Sequence, residues 1–329
     1  MSTHYGLYSL IRSSKILAFL VLVISLSTNA AESKKGGVIN IGYQKYGTLV
    51  ILKSKGTLEK RLAPLGIEVK WIEFPAGPQL LEGLNVGSID LGVTGEAPPI
   101  FAQAASAPLV YVAYEPPAPK GEAILVPKDS QIKSVAELKG KRVGLNKGSN
   151  VHYLLVKALE KAGLKYTDIE VAYLPPADGR AAFEKGSIDA WVVWDPFYSA
   201  AEDQIGARTL SNGEGIVANT QFYLASSKYA GEHADIVNAV VNEVKKIDEW
   251  TKSNPKAVAE ILAPNVGLEV ATVEKAIKRA GFGVKPIDAE IASQQQKIAD
   301  TFFTLGLIPK EIKISDALWN ADKKVASTK

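Results

Sequence analysis

Two short strings in the chain carry the residue types that can hold an anion. Gly148-Ser149-Asn150 supplies a flexible backbone, a hydroxyl and an amide directly ahead of apolar residues at helical spacing. The free N–H groups and positive end of a helix starting there would complete an anion site. Thr94-Gly95 stands just before Pro98-Pro99, which open a second helix, and would present another set of donors. Each string alone reads equally well as an ordinary cap, because Ser, Thr and Asn are the common residues at helix starts. Neither is a nucleotide phosphate loop, since the Gly-Lys-Ser/Thr ending is missing. Glu96 and Asp195 follow in equivalent places, each ahead of proline. An acid before a first-turn proline is a common helix opening. Its functional alternatives are a partner for a ligand amine, half of a bridge across a closing cleft, or a carboxylate pair for acid–base work.

Chemistry beyond binding lacks its parts. The chain has no cysteine, so disulfides, thiolate metal sites and thiol nucleophiles are excluded. His152, just inside a helix and able to face a cleft, is one histidine and makes no metal site. His233 reads as a surface residue at another helix start. Neither a metal nor a cofactor is expected. An exported hydrolase built on Glu96, Asp195 and His152 would still need a nucleophile that no spacing provides.

The elements that position these strings come from a repeat. Ile39-Asn40-Ile41-Gly42-Tyr43-Gln44-Lys45 has its counterpart in Arg142-Val143-Gly144-Leu145-Asn146-Lys147, with Gly42 and Gly144 102 residues apart. Ile67-Glu68-Val69-Lys70-Trp71 and Ile169-Glu170-Val171-Ala172-Tyr173 keep that offset, and Gly87-Ser88-Ile89-Asp90 recurs unchanged as Gly186-Ser187-Ile188-Asp189 after 99 residues. Three ordered matches at nearly constant spacing imply two lobes on one plan. Each lobe alternates strand and helix, which predicts a parallel sheet covered on both faces. Val151, Leu154, Leu155, Ala158, Leu159 and Ala162 mark the first helix of the second lobe, with Ser149 or Asn150 as its cap and Gly163 past its end. Ile124–Pro127 and Gln221–Ala225 are extended segments between the lobes, taken as two crossover strands. The first lobe is then discontinuous, 38–124 plus 222–329, and the second is 128–219, with a hinge between them. Helices follow over His233–Trp250, Ala271–Ala280 and Ile287–Phe303, and Lys310 onward reads as a polar tail. Ligands of open parallel sheets bind beyond the carboxyl ends of the strands. That rule selects Tyr43-Gln44-Lys45, Pro75-Ala76-Gly77 and Thr94-Gly95-Glu96 in the first lobe. In the second it selects Lys147–Asn150, Pro175–Asp178 and Trp194-Asp195-Pro196.

The 329 residues are 47% hydrophobic and 22% charged, with 38 basic and 35 acidic side chains spread along the chain. This composition excludes a disordered tail or a polytopic membrane protein, and the lack of a basic patch argues against nucleic acid as a partner. Arg12 and Lys15 precede the apolar run Ile16–Leu26, and small polar residues follow to Ala31. Residues 1–30 therefore read as a secretory signal, too short in its apolar part to span a bilayer. Cleavage is expected after Ala30 or Ala31, leaving a soluble exported chain with net charge +1 in place of +3.

The run Asn85–Pro99, ending Val93-Thr94-Gly95-Glu96-Ala97-Pro98-Pro99, resembles the solute-binding components of aliphatic sulfonate ABC importers. So do Lys147-Gly148-Ser149-Asn150, Ala190–Phe197 with its Trp194-Asp195-Pro196, Glu115-Pro116-Pro117 and Phe222-Tyr223-Leu224-Ala225. The Trp-Asp-Pro string also occurs in taurine, nitrate and pyrimidine-precursor branches, while the Thr-Gly-acid block favours sulfonates. The resemblance implies an α/β fold like the type II periplasmic binding proteins, with two α/β lobes around a ligand cleft and two crossover strands. It also implies a monomer that closes on its ligand, works without catalysis or a cofactor, and delivers the ligand to a membrane-embedded ABC permease. The family's sulfonate contacts would fall on Gln44, Thr94, Gly95, Ser149 and Asn150, with Trp194 near the alkyl part and Asn150 where a second serine is usual. Gly148, Glu96 and Asp195 complete the candidate site. Taurine becomes the more attractive ligand if Glu96 faces it, and nitrate or a thiamine precursor are the other members of that alternative.

Overall fold

Both halves of the chain begin with the same three-strand unit. The computed structural model describes residues 37–320, so the segment read as a secretory signal, residues 1–30, lies outside the described residues. The first half runs β1 (Gly37–Tyr43), α1 (Thr48–Lys55), α2 (Thr57–Leu62), β2 (Ile67–Glu73), α3 (Gly77–Asn85), β3 (Leu91–Gly95), α4 (Ala97–Ala104) and β4 (Leu109–Glu115). The second runs β5 (Glu122–Val126), β6 (Arg142–Leu145), α5 (Asn150–Lys161), β7 (Glu170–Tyr173), α6 (Pro176–Glu184), β8 (Ala190–Trp194), α7 (Phe197–Ile205) and β9 (Arg208–Asn212). β1 pairs in parallel with β2 and β3, and β6 pairs in parallel with β7 and β8. The order β2-β1-β3 in one sheet is thus β7-β6-β8 in the other.

The repeated Gly-Ser-Ile-Asp explains why both halves close in this way. Gly87 and Gly186 turn the chain at positive φ, 75° and 67°, where a side chain is disfavoured. The next isoleucine then enters the sheet: a Cβ on Gly42 would lie 2.4 Å from Ile89 Cδ1, and one on Gly144 2.5 Å from Ile188 Cδ1. Asp90 accepts the Asn40 N–H and Asp189 the Arg142 N–H, each at 2.8 Å, which fixes the third strand beside the first.

The segments expected to cross between lobes are the strands β5 and β10 (Gln221–Ser226). Each enters a sheet rather than spanning a gap. β5 lies antiparallel between β8 and β9, and β10 lies antiparallel between β3 and β4. The chain leaves the first sheet after Glu115, enters the second at Glu122 and returns between Asn212 and Gln221, so all of β5 belongs to the second sheet. The full orders are β11-β4-β10-β3-β1-β2, where β11 is Lys285–Pro286, and β7-β6-β8-β5-β9.

Helices α8 (Ser227–Glu232), α9 (Ala234–Ser253), α10 (Pro255–Val266), α11 (Val270–Arg279) and α12 (Ala289–Thr304) complete the fold. In α9, Ile236, Val237, Val240, Val244 and Ile247 are buried as their spacing predicts, while Val241 is only partly covered. α10 was hidden by Pro255 and Pro264, which look like breakers. Pro255 occupies the first turn, where the missing N–H is harmless. α1, α9, α10 and α11 pack on one face of the first sheet, and α3, α4 and α12 on the other. The stretch read as a polar tail is partly core: Ile312, Ile314 and Ala317 are buried against α12, and Leu318 bridges to Tyr111. Among the described residues no helix is long and apolar enough to cross a membrane.

Candidate functional site

A cavity of about 690 Å³ opens where the strand ends of the two sheets face each other. All six loops selected by the strand-end rule contribute to its wall: Gln44 and Lys45, Pro75 and Gly77, and Gly95 from the first sheet; Ser149 and Asn150, Pro175 to Ala177, and Trp194 to Pro196 from the second. Trp194 is partly exposed and meets Phe197 edge-on at 6.1 Å. Together with Phe74 and Phe282 these two aromatics give the cavity an apolar side.

The helix start at Ser149 is not capped in the usual manner. Ser149 adopts the extended cap conformation, yet its hydroxyl donates to the Asn146 carbonyl at 2.7 Å, and no side chain caps α5. The His152 N–H closes back on the Ser149 carbonyl at 3.0 Å, and the N–H groups of Asn150 and Val151 are left for something else. Asn150 is committed differently. Its Oδ1 accepts the Ala97 N–H at 3.2 Å, capping α4 from the opposite half, and its Nδ2 donates to Asn219 Oδ1 at 2.6 Å. Asn219 in turn donates to the Ala118 carbonyl at 2.9 Å. Asn150 therefore ties both chain crossings to α4 and is not a free donor here. Its amide lies so near Gly95 that a Cβ there would come within 2.0 Å of Asn150 Oδ1. Gln44 lines the cavity with its amide donating to the Val93 carbonyl at 3.3 Å.

Three candidates stand outside the wall. Thr94 is fully buried, and its hydroxyl turns back to the Gly95 carbonyl at 3.0 Å. Gly148, at φ 72°, sits against Phe101, and its N–H donates to His152 Nδ1 at 3.3 Å. Glu96 neither caps α4 nor reaches the cavity: it is buried and accepts the Thr220 N–H at 2.8 Å. Burial raises its carboxyl to about 7, with the Thr220 bond opposing. Asp195 does line the cavity and also caps. Its Oδ1 accepts the Ser199 N–H at 2.9 Å and the Ser199 hydroxyl at 2.6 Å, while Oδ2 lies 3.6 Å from Arg279 Nη1.

His152 belongs to the core rather than the cleft. It is fully buried among Phe101, Tyr166, Tyr173 and Phe302. Desolvation and nearby Lys147 lower its pKa to about 4. The constellation Glu96, Asp195, His152 is therefore dispersed. His233 is exposed at the start of α9, against Tyr229, as expected. No group of three or more metal-binding side chains occurs among the described residues.

A family model described as NMT1/THI5-like matches residues 63–258. A relative from Escherichia coli (strain K12), bearing the name of an aliphatic sulfonates-binding protein, is 46% identical over 301 residues, covering 91% of this chain and 93% of its own. The chain belongs to the NMT1/THI5-like family, in its aliphatic sulfonate-binding-protein branch. Solved members of that branch share the whole architecture. The alkanesulfonate-binding protein SsuA of Xanthomonas axonopodis pv. citri, bound to MOPS, superposes with TM-score 0.83 at 43% identity, covering 87% of this chain and 99% of its own. The periplasmic aliphatic sulphonate binding protein SsuA of Escherichia coli gives TM-score 0.79 at 45% identity, over 89% and 94%. These relatives are binding proteins. A desulfurization enzyme shares the fold alone, at TM-score 0.61 and 17% identity.

This sulfonate-branch chain also brings residues to its cavity that strand-end reasoning missed: Tyr46, Thr48, Glu115, Arg180, Asn219 and Phe282. Arg180 lies one turn into α6, past the loop that the rule selects, and pairs with Glu184 at 2.6 Å. Tyr46 donates to the Ala276 carbonyl at 2.8 Å. Tyr43 and Tyr223 are buried, with their hydroxyls donating to Glu73 at 3.2 Å and Glu115 at 2.6 Å.

Proposed function

We propose that the protein is a periplasmic solute-binding protein that captures aliphatic sulfonates between its two lobes and hands them to a membrane-embedded ABC permease. The observation that carries this reading is the pairing of an uncapped α5 N-terminus with an apolar wall in one cavity. A sulfonate stays ionised at physiological pH and offers three acceptor oxygens, which neutral N–H donors at the α5 start and near Gly95 can hold without a dedicated cation. The alkyl part then lies along Trp194, Phe197 and Phe74. Tails of different length are accommodated along this apolar side. The lobes are built on the six-stranded and five-stranded sheets, following the bounds 38–124 with 222–329 and 128–219 except that β5 belongs wholly to the second, and ligand binding draws them together. The monomer carries out no turnover.

Glu96 bears on the choice among ligands. It accepts from Thr220 away from the cavity, so an aminosulfonate such as taurine finds no counter-charge there. A thermal-shift series with ethanesulfonate, longer alkanesulfonates, taurine, nitrate and a matched carboxylate tests the reading. Ligand at a hundredfold over its dissociation constant stabilises by about 2.7 kcal/mol. Shifts with several alkanesulfonates and none with the carboxylate are expected; a response to nitrate or taurine alone would replace the reading. Hydrolysis of a sulfate or phosphate ester by the protein would overturn the absence of turnover.

A further inference from the structure

Glu115 is an acid that lines the cavity from the first sheet. It ends β4, is 5% exposed, and no ion pair joins it to a cation among the described residues. Behind it lies Asp248 of α9, fully buried, and between the two stands the hydroxyl of Thr48 from α1. Thr48 Oγ1 is 3.0 Å from Glu115 Oε1 and 2.7 Å from Asp248 Oδ1. A threonine hydroxyl has one hydrogen and can donate to one of these oxygens only. The other contact needs its own proton, or two lone pairs would face each other at hydrogen-bond distance.

The neighbours cannot supply that proton. Tyr223 on β10 already donates to Glu115 Oε1 at 2.6 Å, and the Val284 N–H donates to Asp248 Oδ2 at 2.8 Å. Both are satisfied donors to a carboxyl and neither reaches Thr48. We propose that Glu115 and Asp248 share one proton across the Thr48 hydroxyl, so that the pair carries one negative charge in place of two beside the cavity and anion binding is linked to that proton. The shared proton stands on the hydrogen-bond count. The link to anion binding rests on the sulfonate reading.

The surroundings agree. Burial and the Asp248 charge raise the Glu115 carboxyl to about 8, against opposing bonds from Tyr223 and Thr48. Asp248 is raised by burial, against bonds from Thr48, Val284 and Gly283 and the charge of Lys252 one turn along α9. Burial raises the hydroxyl of Tyr46, ahead of α1, with Asp195 and Glu115 adding to it and Arg279 from the end of α11 opposing. With the proton in place the pair carries a single negative charge. Once it is lost, two adjacent negative charges face the incoming anion, and by reciprocity a bound anion holds the proton more tightly.

Carbon-13 NMR of protein labelled at Glu and Asp carboxyls, titrated from pH 5 to 9 without ligand, decides the first half. Glu115→Gln and Asp248→Asn assign the signals. One carboxyl of the pair should remain protonated through pH 7; both ionised at pH 6 would overturn the proposal. Ethanesulfonate affinity over pH 6–9 decides the second half. The dissociation constant should rise by up to about tenfold per pH unit once the pair ionises, and this rise should vanish in Glu115→Gln. A flat curve for the unaltered protein would refute the linkage. If ethanesulfonate fails to bind at any pH, the sulfonate reading falls while the NMR result still settles the proton.

Discussion

Arg279 reaches from the last turn of α11 to the cavity-lining carboxylate of Asp195 at the head of α7, 3.6 Å away. Its other guanidinium nitrogen pairs with Glu202 at 2.8 Å, and the guanidinium carbon lies 3.9 Å from the Tyr198 ring centre. Lys275 extends the cluster to Glu202 and Asp203 at 2.8 and 2.9 Å. α11 packs with the first sheet's helices and α7 with the second sheet. One cationic helix end therefore holds an acidic helix across the cavity mouth.

Removing this clasp should loosen the contact between α11 and α7. Arg279→Ala loses hydrogen bonds to charged partners, worth roughly 1.5–3 kcal/mol each when buried and less here because Arg279 is partly exposed. Ligand dissociation should accelerate about tenfold, that is about 1.4 kcal/mol, with a larger radius of gyration for the ligand-free protein. Stopped-flow release and X-ray scattering measure the two.

Gly95→Ala should abolish binding. The added methyl would collide with the Asn150 amide, which cannot move without uncapping α4 and releasing Asn219. Partial recovery is expected in Gly95→Ala/Asn150→Ala, which clears the space. Calorimetric titration of both variants with ethanesulfonate distinguishes this clash from simple loss of a glycine.

Trp194→Ala should affect long tails more than short ones. The indole covers the alkyl side of the cavity, and each buried methylene contributes about 0.8 kcal/mol. Octanesulfonate should lose roughly tenfold in affinity or more, and ethanesulfonate distinctly less, as read from their dissociation constants.

Stability should fall as pH rises from 6.5 to 8. Glu96 and Glu115 have folded-state values raised to about 7 and about 8. Their contribution is complete below the ordinary carboxylate range and is lost as pH climbs through those values, because the unfolded chain has already released its protons. His152, lowered to about 4, acts in the opposite sense. Its contribution is present above about 6.5 and is lost as pH falls toward 4. Above 6.5 the acids act alone. Urea unfolding at pH 6.5, 7.3 and 8 should show the decline, reduced in Glu96→Gln.

Much of this architecture is legible in the residues. The Gly-Ser-Ile-Asp repeat carries strand order because its isoleucine fits only over a glycine of the neighbouring strand, and such a fit needs fixed residue types. The six cavity loops follow from strand ends in the same way. Side-chain direction is not encoded so locally. Thr94, Gly148 and Glu96 sit in the right loops, yet the Thr94 hydroxyl turns back on the adjacent Gly95 carbonyl, and Gly148 and Glu96 meet Phe101 and Thr220 from distant parts of the chain. His152 shows the same limit: helical spacing places it near the cleft, and only packing by Phe101 and Phe302 assigns it to the core. Glu115, the last residue of β4, and Arg180, one turn into α6, lie outside the six selected loops although both line the cavity.

The antiparallel pairing of β4 with β10 sets Glu115 directly opposite Gln221. Paired residues in such a ladder stand about 5 Å apart, a distance that a two-residue turn ordinarily spans. The whole five-stranded sheet, with its helices, thus occupies the place of a hairpin turn in the six-stranded one. Seen in that way, the protein is a single-sheet domain with a second domain grown out of one β-turn, and Glu115 and Gln221 are the two sides of the graft.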